Sequence, residues 1–282
     1  MPQYLRPQTL DEAVAALQAH PALRIIAGGT DLYPALGDHV QHTDLLDITG
    51  LSGLQDITLT ADGLRIGALE TWTDVQAAKL GNAYKALAEA GREVGSPQIQ
   101  NAATVVGNLC NASPAADGTV ALMALGAQVE IAGQDGVRTV PVESFVTGVR
   151  RVALAQGEIV TALHVPTATG GSAFLKLGAR KYLVISIAMV AAHVALDASG
   201  RITHAAIAVG SCAPVAKRLP KIEAALLGAR RDAVAAVVRP ELIDGLAPIS
   251  DIRADAAYRE TVVPVLVRRA LMRSMERSDR ST

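Results

Sequence analysis

The sequence predicts an α+β protein in two parts: βα units and hairpins first, then an antiparallel sheet packed by helices. Three observations predict it. Short strands alternate with helical segments as far as Pro166, with turn residues between them. Thr167-Ala168-Thr169-Gly170-Gly171-Ser172 then breaks the pattern and reads as a linker. Past it come three longer apolar strands, residues 173–178, 184–196 and 202–210, the last two joined by the turn Asp197-Ala198-Ser199-Gly200-Arg201. The expected domains are 1–168, with lobes of about 1–53 and 54–168, and 172–282.

Each element has a local reason. Thr9 and Glu12 form a capping box that opens a helix with Leu10, Val14 and Leu17 on one face, ending before Pro21. Residues 23–27 form a strand that runs straight into Gly28-Gly29, residues 31–36 a short helix interrupted by Pro34, and residues 45–48 a second strand. Ala61-Asp62-Gly63 turns a hairpin between residues 54–59 and 64–68. Residues 73–78 and 84–94 are helical, and Gly95-Ser96-Pro97 stops the second. Residues 104–117 read as a loop, followed by a helix through Val120, Leu122, Met123 and Leu125. Strands at 128–132 and 138–142 surround Gln134-Asp135-Gly136, and a strand at 159–165 closes on Pro166. Helices at 221–227, 230–238 and 255–275, the last around Pro264, complete the chain.

Composition narrows the function. Half of the 282 residues are apolar, enough for a substantial core, yet there are only one Trp, two Phe and five Tyr. So few aromatics leave no base-stacking platform for nucleic acid. The 26 Lys and Arg against 27 Asp and Glu give a net charge of −1, so no basic field draws DNA or anionic lipid. No basic segment precedes an apolar one at the start and no run reaches membrane-span length, so the expected location is the cytoplasm. Cys110 and Cys212 are too few and too far apart for an iron–sulfur cluster or structural zinc, and no metal site is expected in this chain.

Two stretches carry the chemistry. Thr104-Val105-Val106-Gly107-Asn108-Leu109-Cys110-Asn111-Ala112-Ser113-Pro114-Ala115-Ala116-Asp117 is small and polar, so its main chain can approach a polyanion closely. Ile25-Ile26-Ala27-Gly28-Gly29-Thr30-Asp31 has the same character after a strand. Together they suggest a phosphate gripped from two sides. No Lys follows the glycines and the G-x-G-x-x-G spacing is missing, which argues against nucleotide hydrolysis and the NAD-type fold. On its own, Gly28-Gly29 serves equally well as a strand-ending turn. The six histidines are scattered, and each reads as a surface or satisfied core residue. Tyr182 reads as an exposed loop residue, and the arginines from Arg268 to Arg280 as the solvated face of the last helix. No catalytic nucleophile–base set is found.

Ala27-Gly28-Gly29-Thr30-Asp31, Gly95-Ser96-Pro97-Gln98-Ile99-Gln100-Asn101-Ala102-Ala103-Thr104-Val105-Val106-Gly107-Asn108 and Ala112-Ser113-Pro114-Ala115-Ala116-Asp117 closely resemble the FAD-binding (medium) subunit of molybdenum hydroxylases, the xanthine dehydrogenase and aerobic carbon monoxide dehydrogenase family. The likeness continues through Glu158-Ile159-Val160, Phe174-Leu175-Lys176, Ser250-Asp251-Ile252-Arg253, Tyr258-Arg259 and Val267-Arg268-Arg269-Ala270-Leu271. The resemblance implies a two-lobed FAD-binding domain of the vanillyl-alcohol-oxidase type followed by the C-terminal domain. It implies that Ile26, Ala27, Gly28, Gly29, Thr30 and Asp31 form one pyrophosphate grip and Thr104, Val105, Val106, Gly107 and Asn108 the other. Ser113 would offer a hydroxyl, Asp117 would accept from a cofactor hydroxyl, and Val160 and Lys176 match flavin-contacting positions. Three positions depart from the common pattern: Val106 replaces a frequent glycine, Gln100 a frequent arginine, and Ser186 a frequent aspartate.

The resemblance further implies an electron-transfer subunit with FAD as its cofactor. Its expected partners are a large subunit holding molybdopterin and a small one with two [2Fe–2S] clusters, in a dimer of heterotrimers. The first-loop form Ala-Gly-Gly-Thr-Asp is similar to relatives acting on purines or other N-heterocycles. A carbon monoxide dehydrogenase medium subunit is the alternative, and a self-sufficient flavin oxidoreductase the alternative from another class.

Overall fold

The computed structural model describes residues 2–279. The chain opens with a three-stranded parallel sheet in the order Tyr4–Leu5, Leu45–Asp47, Arg24–Ile26. Helix Leu10–Ala19 covers it, started by the Thr9–Glu12 capping box with both reciprocal bonds made. A five-stranded antiparallel sheet follows, ordered Ile57–Thr60, Gly63–Gly67, Ile159–Pro166, Gln128–Gly133, Gly136–Pro141. The strand Ile159–Pro166 thus returns to the middle of the sheet, and it carries a bulge between Val160 and Ala162. One hydrophobic core runs through both lobes, from Ala13 and Leu46 to Trp72, Leu109 and Leu163.

The C-terminal part is a four-stranded antiparallel sheet, Gly171–Leu177, Ala188–Leu196, Ile202–Gly210 and Lys217–Arg218. Its central strand is buried on both faces, which is why the sequence reads as a continuous apolar run rather than an alternation. Ala188, Val190, Ala192 and Val194 meet the long helix Ala256–Ser278 in a second core. Met189 and Ala191 join the first core. Helix Asp117–Ala124, with all eight residues buried, packs against strands Ala188–Leu196 and Ile202–Gly210 of this sheet and against helices Lys85–Glu93 and Val105–Cys110 of the first part.

Several boundaries differ from expectation, each for a tertiary reason. The strand expected from residue 184 starts at Ala188. Before it, Leu183 has a left-handed φ of 51° and the Ile187 carbonyl accepts from the buried Arg259 guanidinium, so the segment is a pinned loop. The stretch 104–117, expected as a loop, contains helix Val105–Cys110. The stop at Pro97 is followed at once by the short helix Pro97–Gln100, with Ser96 as its cap. The expected helix 230–238 divides into a 3₁₀ turn Arg231–Ala233 and one turn Val234–Val237. The arginines of the last helix are not a solvated face throughout. Arg277 reaches across to Glu89 at 3.0 Å and the Ser172 carbonyl at 2.6 Å, while Arg268 donates to the Val238 carbonyl at 2.6 Å. Arg280 lies outside the described residues.

Candidate cofactor-binding site

The first loop leaves the carboxyl end of a parallel strand. Ile26 is held in the sheet, its carbonyl accepting from Ile48 N–H at 3.0 Å, and the chain breaks away at Ala27. Gly29 turns the chain at φ 67°, a conformation glycine adopts without penalty, and helix Leu32–Leu36 follows. Among the described residues, the N–H groups of Ala27, Gly28, Gly29, Thr30 and Asp31 donate to no protein acceptor. Five consecutive free donors on residues with little shielding make a concave anion site.

The second loop is tied to the first lobe's neighbour. Trp72 N–H donates to the Ala103 carbonyl at 3.1 Å, and Val105 N–H to the Glu70 carbonyl at 3.0 Å. Thr104 caps the helix that follows, its hydroxyl accepting from Gly107 N–H at 2.9 Å. Val106 therefore has ordinary helical backbone, and the left-handed residue of this stretch is Ala112 at φ 46°. The two loops touch at Gly28: a Cβ there would lie 1.8 Å from the Ala102 carbonyl oxygen. Gly28 is thus a close-approach glycine.

Between the loops lies a cavity of about 660 Å³, within the usual ~300–1,000 Å³ of a cofactor pocket. Ile26, Ala27, Gly28, Gly29, Thr30 and Asp31 line one side, and Thr104, Val106, Gly107 and Asn108 the other, with Val160 on a third wall. Ile48, Ala68, Val94, Ile99, Leu154 and Ile159 supply apolar lining. Eleven of the fifteen site residues named from the sequence meet there.

The other four do not line it. Val105 is fully buried with its N–H already bonded, and the Ser113 hydroxyl accepts from Ala115 N–H at 3.3 Å. Asp117 and Lys176 form a buried ion pair at 3.0 Å behind the cavity wall. Ser186 donates to the same carboxylate at 3.3 Å, and Lys176 also reaches the Glu93 carbonyl at 3.1 Å. Asp117 is the first residue of its helix rather than the cap, which is Ala116. Burial pushes its carboxyl up to about 6, against the pull of Lys176. The pair still adjoins the site, because the next residue, Gly118, donates its N–H to the side chain of cavity-lining Asn108 at 3.2 Å.

Sequence reasoning missed Arg24, Arg150 and Cys110 on the cavity wall. Burial pushes the Cys110 thiol up to about 12, so it acts as apolar lining rather than as a nucleophile. Tyr182 is exposed and off the cavity. His193 is buried, bonded to the Thr169 carbonyl at 2.8 Å and packed on His204 at 4.8 Å. Among the described residues no group of His, Cys, Asp and Glu gathers as a metal site. No described helix is long and apolar enough to cross a membrane.

A peptide-lined anion cradle opening on an apolar cavity in an α+β frame defines a nucleotide-cofactor-binding protein. Residues 1–168 match the family model of the FAD binding domain in molybdopterin dehydrogenase, and residues 173–274 that of the CO dehydrogenase flavoprotein C-terminal domain. The xanthine dehydrogenase FAD-binding subunit of Escherichia coli O157:H7 is 32% identical over 275 residues, covering 95% of this chain and 94% of that protein. The nicotinate dehydrogenase FAD-subunit of Eubacterium barkeri is 35% identical over 236 residues, 80% of each chain. A solved structure of carbon monoxide dehydrogenase from Hydrogenophaga pseudoflava superposes with a TM-score of 0.89 at 30% identity over 98% of each chain. The chain belongs to the FAD-binding medium subunits of the xanthine dehydrogenase and carbon monoxide dehydrogenase family of molybdenum hydroxylases. The residues present fit FAD: the free amides suit a pyrophosphate, Gly28 leaves no side chain in its path, and the apolar walls suit aromatic rings.

Proposed function

We propose that this chain is the electron-transfer subunit of a multi-subunit molybdenum hydroxylase acting on a purine or another N-heterocycle. The single observation that carries the reading is the row of free amides from residue 27 to residue 31 on residues that line one cavity with Thr104, Val106, Gly107 and Asn108. Those amides would hold the pyrophosphate of FAD, and Val160, Ile159 and Val94 would supply apolar walls that exclude water from its site. Asp117 and Lys176 act from behind the wall, holding Asn108 in place through Gly118. FAD, when bound, takes electrons singly and releases them in pairs, which lets the chain link iron–sulfur clusters to an external acceptor.

In this reading a small partner supplies [2Fe–2S] clusters, and a large partner holds molybdopterin and oxidises the substrate. The complex is a cytoplasmic dimer of heterotrimers. The xanthine and nicotinate enzymes among the relatives support an N-heterocyclic substrate, and the carbon monoxide dehydrogenase medium chains, at 30% and 31% identity, support the alternative. The test is purification of the chain with and without its partners. One FAD per chain, reduced by substrate only when both partners are present, is expected. A colourless complex refutes the reading. Turnover of a small substrate by the isolated chain replaces it with a self-sufficient flavin oxidoreductase.

A further inference from the structure

We infer that Arg150 is a further cofactor-binding residue, whose guanidinium donates to the pyrophosphate of bound FAD while Asp31 and Asn111 hold it at the cavity mouth. Arg150 sits in the turn between the short strands Val146–Gly148 and Arg151–Val152. Its backbone has a left-handed φ of 56°, a conformation disfavoured for a residue with a Cβ. A glycine would relax that turn, so keeping an arginine there points to work done by the side chain. The strained turn is pinned to the second loop, because Arg150 N–H donates to the Ala112 carbonyl at 2.9 Å.

The side chain then reaches both loops at once. Nη1 donates to Asp31 Oδ2 at 2.8 Å, to the Asn111 carbonyl at 3.3 Å and to Asn111 Oδ1. All three bonds use one nitrogen. Nη2 and Nε have no protein acceptor among the described residues, and the residue lines the cavity with its side chain 54% exposed. The guanidinium is therefore oriented but not saturated, which is the state in which arginine binds phosphate oxygens.

Charge accounting leads to the same residue. The charged residues on the cavity wall are Arg24, Asp31 and Arg150. A pyrophosphate beside Asp31 meets a repelling carboxylate unless a cation screens it, and Arg150 is the paired cation. Gln100 supplies no charge and is turned away, donating to the Arg92 and Val94 carbonyls at 3.3 and 3.0 Å.

The inference rests on the FAD reading above, and its test separates the two. The full chain, in the form in which it is purified with FAD, is diluted and flavin release is followed by fluorescence. Arg150→Gln is expected to raise the release rate at least about tenfold, the equivalent of one charge-assisted hydrogen bond, and to flatten its dependence on salt. Arg150→Gly, which suits the turn, is expected to release FAD as fast while its apoprotein melts no lower than wild type. Arg150→Lys is expected to fall between. Wild-type release by both Arg150→Gln and Arg150→Gly overturns the inference. So does a faster release whose dependence on salt is unchanged from wild type, which would make the arginine only a tie between loops. A wild-type chain without flavin overturns the FAD reading itself.

Discussion

Gly28→Ala is the sharpest test of the two-loop cradle. Its added Cβ would lie 1.8 Å from the Ala102 carbonyl oxygen, where real Cβ contacts do not fall below 3.0 Å, so the loops must part by the difference, about 1.2 Å. The obstacle is backbone on both sides, and no flexible side chain can swing away. Overpacking of this kind costs about 1–3 kcal/mol of stability. The larger effect falls on the cofactor. A shift of that size takes a hydrogen bond beyond its useful range, and each bond to a charged phosphate is worth about 1.5–3 kcal/mol. Losing two raises the Kd for FAD roughly a hundredfold to ten-thousandfold. Fluorescence titration of the apoprotein with FAD measures this. A Gly28→Ala protein that binds FAD as tightly as wild type would refute the cradle.

The remaining predictions concern stability. Thr104→Val removes the cap on Gly107 N–H and should cost about 1 kcal/mol, lowering the apoprotein Tm by about 2 °C in calorimetry. Arg277→Met removes one of the two arginines that face Glu89 and should cost about 1 kcal/mol in urea unfolding, since Arg273 at 3.7 Å and the Phe174 N–H at 2.9 Å still serve the carboxylate. Burial pushes the His193 imidazole down to about 4, with His204 and Arg218 adding to the effect. The unfolded chain therefore takes the proton first, and stability is lost as pH falls from about 6.5 to about 4, by on the order of 3 kcal/mol. His193→Gln should flatten that limb of a stability–pH curve. Asp117, raised to about 6 by burial, has the opposite sign: its contribution is complete below about pH 4 and is lost as pH rises through about 6. The double variant Asp117→Asn, Lys176→Met should remove that decline without leaving an unpaired buried charge.

Local chemistry made some of the structure legible. Thr9 and Glu12 mark a helix start by residue type alone, and Asp62-Gly63 marks a hairpin. Residues 27–31 are legible as a cradle because smallness and polarity are what an anion nest requires. Helix Val105–Cys110 is not, since Gly107 and Asn108 are weak helix formers and only the Thr104 cap and the burial of Val105 and Leu109 sustain it. The overrun of the strand into residues 184–187 has the same origin: apolar residues suggest a strand, but Ser186 and the Ile187 carbonyl are claimed by distant partners. Arg150 lies 119 residues from Asp31, and no sequence pattern expresses that contact.

The placement of helix Asp117–Ala124 explains why the second domain matters to a site formed wholly within the first 160 residues. All eight of its residues are buried, so it cannot shift without disturbing the C-terminal sheet and the first-domain helices packed on it. Its first turn holds Asn108 through Gly118 N–H and is itself held by Lys176 and Ser186 from the C-terminal domain. Its far end offers the Met123 carbonyl to Arg218 of the last short strand. The C-terminal sheet also buries Met189, Ala191 and Ala208 in the first domain's core, and these would face water if the domains parted. A wall residue fixed through such a chain keeps its geometry only as long as the interdomain contact persists. The C-terminal domain therefore contributes no residue to the cavity lining but packs on and hydrogen-bonds to the helix against which Asn108 is set.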